Sequence, residues 1–176
     1  RSGWTALLAR VLRRIWQIYW AHIAVFITLV AVMSVAGTRP DGVSYTDSLN
    51  LLPFLRDPGA LLPALLTLTY VPNYFDILPM YMVLLALLPV MLLAERMHRT
   101  LPFLLIAMLW VAAQSGVNFP AEPWSERHWF FNPLGWQLCF YTGFFLMRGT
   151  LPAPPRRKSL IWLSLFIVVV TVPFAW

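Results

Sequence analysis

The chain has 176 residues, of which 60% are hydrophobic and only 11% are charged, and it contains nine tryptophans. Soluble domains carry about 25% charged residues, so this composition excludes an ordinary soluble helical protein. The net charge of +6 lies in short clusters beside apolar segments. Anionic lipid accounts for such clusters, so the charge does not indicate nucleic-acid binding.

Five apolar segments follow one another along the chain, and about 20 apolar residues suffice to cross a bilayer. They cover residues 15–36, 77–94, 101–117, 134–147 and 160–176. The sequence therefore predicts an all-α fold, a polytopic transmembrane helix bundle with about five spans. We expect a single membrane-embedded domain over residues 1–176. We also expect it to be incomplete at both ends, because it begins with Arg1 and its last span stops at Trp176.

Basic residues alternate in density between these segments, which predicts the orientation in the membrane. One set of flanking segments holds ten basic residues and one acidic residue, and the alternate set holds three basic and six acidic residues. Basic segments stay in the cytoplasm. The sequence thus predicts a cytoplasmic residue 1. The ten basic residues are Arg1, Arg10, Arg13, Arg14, Arg96, Arg99, Arg148, Arg156, Arg157 and Lys158.

Two short helices are predicted beside the spans. Residues 4–15 place apolar side chains on one helical face and arginines on the other, which predicts an amphipathic helix at the cytoplasmic interface. Residues 60–69 are apolar but extend over only about 15 Å of helix, too short to span. They predict a re-entrant or an interfacial helix, and the sequence does not choose between the two.

His22 is the only ionisable residue of the first span. Ionisable residues inside membranes are rare, face the bundle interior and commonly mark function. His22 is therefore a candidate catalytic residue, and the alternative is a packing role with a hydrogen bond to Tyr19. In the fourth span, Gln137, Tyr141 and Arg148 share one stripe, which predicts bonding between helices.

The outer end of the second span carries Asn73 and Asp76. A carboxylate there is a candidate to orient a base or a hydroxyl in an outward-facing pocket, whereas its alternative role is to cap the helix. The outer segment of residues 118–132 combines carboxylates with aromatic rings, which suit sugar hydroxyls and sugar faces. Glu122 and Trp124 are its predicted ligand-binding residues, and Trp129 to Phe131 are assigned to an aromatic membrane girdle.

The sequence does not indicate a phosphate-binding loop, a disulfide within the chain or a metal site. There is no glycine-rich phosphate loop, and Cys139 is the only cysteine, so no disulfide forms within the chain. Glu95 and His98 lie three residues apart in a cytoplasmic turn without a third ligand nearby, so no metal site is predicted.

Four stretches together resemble the OpgC-type membrane proteins, which succinylate osmoregulated periplasmic glucans and are similar to acyltransferase-3-like membrane acyltransferases. They run from Arg13-Arg14 to His22, from Tyr70 through Asn73 and Asp76 to Tyr81, from Asn118 to Gln137, and from Phe140 to Gly143. The resemblance covers nearly the whole chain.

That resemblance implies an O-acyltransferase of the bacterial inner membrane. Its donor would be cytoplasmic succinyl-CoA and its acceptor the hydroxyls of periplasmic glucan, with membrane lipid as the surroundings. It adds Tyr81 to the substrate-binding residues, and it assigns Arg14 and Arg148 to the phosphates of CoA, although lipid contact alone explains both arginines.

The wider acyltransferases carry a basic residue eleven positions before a catalytic histidine, and here Val11 occupies that position before His22. We therefore expect the main catalytic base upstream of Arg1 and a supporting role for His22. A multi-pass transporter or channel, or a non-catalytic membrane sensor module, remains the alternative function. The sequence does not specify an oligomeric state.

Overall fold

The computed structural model describes residues 2–38, 42, 44–152, 155 and 157–172. These residues form eight α-helices and no β-strand, which confirms the predicted all-α fold. The helices are α1 Ser2–Ala36, α2 Tyr45–Ser48, α3 Leu52–Arg56, α4 Pro58–Leu66, α5 Ile77–Met97, α6 Leu101–Gln114, α7 Pro133–Arg148 and α8 Lys158–Thr171. Arg1, Arg156 and Trp176, on which some sequence arguments rest, lie outside the described residues.

The chain divides into two compact units, residues 1–141 and residues 142–176. The first unit contains α1 to α6 and the beginning of α7. The second unit contains the end of α7 and α8, and the residues of α8 are exposed. The prediction of a single membrane-embedded domain stays a prediction.

Two helices, α1 and α5, are long and apolar enough to cross a membrane, which is consistent with a membrane protein. The helices α6, α7 and α8 have 14, 16 and 14 residues, fewer than the roughly 20 that a bilayer requires. The arrangement of about five spans stays a prediction.

The long helix α1 joins the predicted amphipathic segment and the first predicted span without a break. Its 35 residues extend over about 52 Å. It contains no proline, and it ends at Gly37, whose φ of 75° is the left-handed conformation that commonly terminates helices at glycine. A helix of this length exceeds the roughly 30 Å hydrocarbon core of a bilayer.

The helices α1 and α5 pack antiparallel. The Arg96 guanidinium lies 4.4 Å from the centre of the Trp4 ring at one end, and the rings of His22 and Phe75 meet at the other. Between them, Val11 and Ile18 belong to one apolar cluster with α5 residues. Residues 4–22 of α1 thus run beside α5, and His22 lies level with the amino-terminal end of that helix.

The following part of α1 packs against residues of α3 and α4, the segment before α5 and the loop before α7. This second apolar cluster centres on Phe26, whose ring meets Phe54 edge-on at 4.9 Å. Its buried members are Ile23, Phe26, Leu51, Leu65, Tyr70, Val71, Phe75, Ala121 and Trp129. Trp129 was assigned to a membrane girdle, but it is 6% exposed and belongs to this core. Burial here fixes the loops that carry the candidate site.

The predicted short helix over residues 60–69 is α4, which begins two residues earlier and ends at Leu66. Asp57 caps it, because its Oδ1 accepts a hydrogen bond of 3.0 Å from the Ala60 amide. Only Leu65 of this helix is buried, so both the re-entrant and the interfacial interpretation stay open.

The polar stripe of α7 bonds to neighbouring helices, as predicted. Gln137 is fully buried, and its Nε2 donates to the Ile106 carbonyl at 2.8 Å. The Tyr141 hydroxyl donates to the Leu84 carbonyl at 2.5 Å. Arg148, the third member, lies in the last turn of α7. These bonds join α7 to α6 and to α5 inside an otherwise apolar contact.

Candidate functional site

Two neighbouring cavities meet at Asn73 and Tyr74. The polar cleft has a volume of about 310 Å³ and is lined by Asn73, Tyr74, Asp76, Arg127, His128 and Phe130. The histidine pocket has a volume of about 470 Å³ and is lined chiefly by apolar residues around His22, together with Asn73 and Tyr74. The sequence placed His22 and Asp76 in different elements, and the fold brings their cavities side by side.

Asp76 supplies the carboxylate of the polar cleft. It directly precedes α5 and is 3% exposed. Its side chain makes no capping bond to α5; its Oδ2 accepts a hydrogen bond of 2.6 Å from the Phe131 amide instead. The capping alternative is therefore wrong. The other oxygen, Oδ1, is buried without a protein partner, a costly state that a bound hydroxyl would relieve.

Arg127 also lines this cleft. Its Nη2 donates to the Val71 carbonyl at 2.6 Å and to Glu122 Oε2 at 3.0 Å. Its Nε is buried without a hydrogen-bond partner. Asp76 and Arg127 thus place a carboxylate and a guanidinium among the residues that line the cleft, and an acceptor beside a donor suits a hydroxyl-bearing ligand.

His22 faces the interior, as predicted. It is 1% exposed, and its ring meets the Phe75 ring edge-on at 6.3 Å. Its Nε2 has no hydrogen-bond partner. The Tyr19 hydroxyl donates to the Leu66 carbonyl at 2.9 Å, so it does not donate the predicted hydrogen bond to His22. His22 therefore lines the histidine pocket with its buried Nε2 lacking a hydrogen-bond partner.

Glu122 joins the two outer segments. Its carboxylate accepts bonds from Asn50 at 2.7 Å, Ser125 at 2.5 Å and Arg127 at 3.0 Å. Burial on its own raises the pKa of Glu122, but these hydrogen bonds and the Arg127 charge bring it below the usual value. Both oxygens are engaged within the protein, so the geometry gives Glu122 a positioning role for Arg127 rather than direct ligand contact.

Tyr70 completes this junction. Its hydroxyl donates to the Asn50 carbonyl at 2.6 Å. Burial, followed by the Glu122 charge, raises the pKa of Tyr70, so the hydroxyl keeps its proton and remains a donor. The network ties the segment before α5 to the segment before α7, and these two segments carry the residues that line the cleft.

The OpgC protein family matches residues 1–176. The chain belongs to the OpgC family. At the coarse level, membership in this family supports an acyltransferase-like enzyme that acts in glucan modification. No curated protein and no solved structure matches the chain.

Among the residues expected from the OpgC resemblance, Asn73 lines both cavities. Its Nδ2 also donates to the Ser48 carbonyl at 3.2 Å, so it anchors the turn that separates them. Tyr81 lies away from the outer end, within α5, where its ring meets Phe140 at 5.9 Å. Its contacts are those of a packing residue.

The remaining predicted residues lie apart from the cleft lining. Trp124 is 48% exposed, and its ring lies 5.6 Å from that of Tyr70. Arg14 is exposed on α1 and donates to Gln17 at 3.4 Å. Arg148 belongs to the second compact unit. In the part of the chain that is described, no group of three potential metal-ligating side chains occurs.

Sequence reasoning missed Arg127, His128, Tyr74 and Phe130 as cleft residues. Arg127 and His128 line the cleft because the segment of residues 118–132 folds back on itself in a tight return. In this return the Ala121 amide donates to the Arg127 carbonyl at 2.7 Å. A bridge between Pro120 and His128 closes the same return. The only available signal was the density of charged and aromatic residues in this loop.

Proposed function

We propose that this protein transfers a succinyl group from cytoplasmic succinyl-CoA to a hydroxyl of periplasmic glucan. The supporting observation is the polar cleft, in which a buried carboxylate oxygen of Asp76 and a buried Nε of Arg127 lack partners beside the pocket of His22. Family membership supplies the reaction class.

In this proposal, Asp76 orients the glucan hydroxyl, the main base expected upstream of Arg1 removes the hydroxyl proton, and the hydroxyl oxygen attacks the thioester carbonyl. The carbon–sulfur bond then breaks, and CoA leaves as its thiol with the proton that the base removed from the hydroxyl. Arg127 Nε is a donor for the negative charge that develops on oxygen. His22 acts from the second cavity on the donor side, in a supporting role.

The histidine pocket suits the donor because most of its lining is apolar, like the alkyl part of an acyl-pantetheine arm. Arg14 and Arg148 are each proposed to contact phosphates of CoA, since arginine forms charge-assisted bonds to phosphate. The polar cleft suits the acceptor because glucan is too polar to arrive through lipid.

This function requires a multi-pass arrangement in the bacterial inner membrane, with five spans in this chain and its amino end in the cytoplasm. The alternation of basic and acidic flanking segments supports that arrangement. The segments with Asp47 and Glu126 then face the periplasm, and those with Arg99 and Lys158 face the cytoplasm.

Sealed vesicles containing the full-length protein test this function. We expect labelled acyl groups to appear on glucan only when acyl-CoA is supplied on the cytoplasmic side and glucan on the opposite side. Single cysteines at positions 99 and 126, in a protein whose exposed Cys139 is replaced by serine, report the orientation of the vesicles. Acylation of glucan supplied only on the side of position 99 would refute the proposal.

A further inference from the structure

Tyr74 forms the boundary between the two cavities. It lines both the polar cleft and the histidine pocket. Its side chain is 68% exposed, although large aromatic residues usually bury most of their surface. A second aromatic residue of the polar cleft, Phe130, is 74% exposed. The cleft therefore pairs buried polar groups with two open aromatic rings.

The backbone at Tyr74 is unfavourable for tyrosine. The Phe75 amide donates to the Pro72 carbonyl at 3.2 Å, which closes a turn with Tyr74 at its third position. The φ of Tyr74 is 68°, in the left-handed region that bulky side chains rarely adopt. Glycine or asparagine is preferred at such a turn position. The fold alone thus favours another residue here, and strain of this kind accumulates at functional sites.

We propose that the Tyr74 ring is the platform on which a sugar ring of the acceptor stacks. A sugar has an apolar face of C–H groups and an edge of hydroxyls. An exposed ring beside partnerless polar atoms of Asp76 and Arg127 complements both features. This inference rests on the proposed function, and it assigns the acceptor's ring face to Tyr74 and its hydroxyl edge to Asp76 and Arg127, which line the same cleft.

Binding of a neutral glucose oligosaccharide to the purified full-length protein, measured by calorimetry without acyl donor, tests the inference. We expect Tyr74→Gly to weaken the Kd by about tenfold, equivalent to about 1.4 kcal/mol, because the stacking surface is lost. Tyr74→Phe keeps the ring and should bind within about twofold of the unchanged protein. The Tm of Tyr74→Gly should not fall, since glycine accepts the left-handed φ.

Leu68→Gly is the matched control. Leu68 also has a left-handed φ, of 59°, but it packs in the apolar cluster between α1 and α5. This control should leave the Kd for the oligosaccharide unchanged. An unchanged Kd in Tyr74→Gly overturns the platform while the proposed function stands. Weaker membrane insertion of Tyr74→Gly with normal sugar affinity would show a lipid anchor instead. Absence of oligosaccharide binding by the unchanged protein would overturn both.

Discussion

Replacing Asp76 with asparagine is expected to lower glucan acylation by about 10²- to 10⁴-fold, the usual contribution of a residue that takes part in general acid–base catalysis. The substitution conserves shape, and the asparagine Oδ1 can still accept the bond that Asp76 Oδ2 receives from the Phe131 amide. Only the negative charge and the partnerless acceptor oxygen are lost. Initial rates of acyl transfer in membranes with matched protein levels measure the effect.

Asp57→Asn is the matched control for this substitution. Asp57 caps α4 through a bond from the Ala60 amide, and asparagine caps helices about as well as aspartate. Acylation should therefore remain unchanged in Asp57→Asn. Equal activity of Asp76→Asn and the unchanged protein would remove Asp76 from the site and return it to a structural role at the Phe131 amide.

Replacing His22 with glutamine is expected to lower acyl transfer by about 10²-fold, the lower end of the range for acid–base residues. Glutamine is polar and of similar size, so it should preserve packing beside Phe75 but cannot carry a proton as imidazole does. Transfer rates and the amount of membrane-inserted protein, measured on the same preparations, separate activity from folding.

His98→Gln is the control for the histidine substitution. His98 follows α5 in an exposed turn, where its Nδ1 lies 2.7 Å from the Thr100 hydroxyl, far along the chain from both cavities. We expect normal transfer in this variant. Full activity of His22→Gln would leave the histidine as a packing residue without a part in the transfer.

The sequence predicted the features that depend on one segment alone, and those that follow from a polar residue inside an apolar span. The continuous α1 follows from its apolar pattern without proline, and the buried position of His22 follows from the cost of an ionisable group in lipid. Gln137 and Tyr141 had to bond other helices for the same reason. Each prediction used the chemistry of one segment, and the described helices agree with it.

The register between α1 and α5 was not predictable in the same way. Apolar side chains pack against many different surfaces, so an apolar helix sequence does not specify which residues of another helix it contacts. The first span was therefore assigned to residues 15–36. The contact of Trp4 with Arg96 instead aligns residues 4–22 with α5. His22 consequently lies beside the amino-terminal end of α5, which is where the two cavities meet.

The cleft itself depends on contacts between distant segments. Glu122 was predicted to bind ligand because it is a carboxylate in the segment of residues 118–132. Its partners Asn50 and Arg127 lie within bonding distance only when two loops pack together. The position of Arg127 depends on this contact between loops, because its Nη2 donates to both Glu122 and the Val71 carbonyl. Asp76 was identified from its position, while its partner Phe131 was not.

Protection of a cysteine in the polar cleft tests the central claim most directly, namely that glucan binds there from the outer face. His128 is exposed and lines the cleft, and Asp47 is exposed on a different outer segment. In the full-length protein with Cys139 replaced by serine, a membrane-impermeant maleimide should label cysteines at 128 and 47 from outside. Glucan should slow labelling at 128 and leave the rate at 47 unchanged. Labelling at 128 that glucan does not slow, or that occurs only from the cytoplasmic side, would contradict the account.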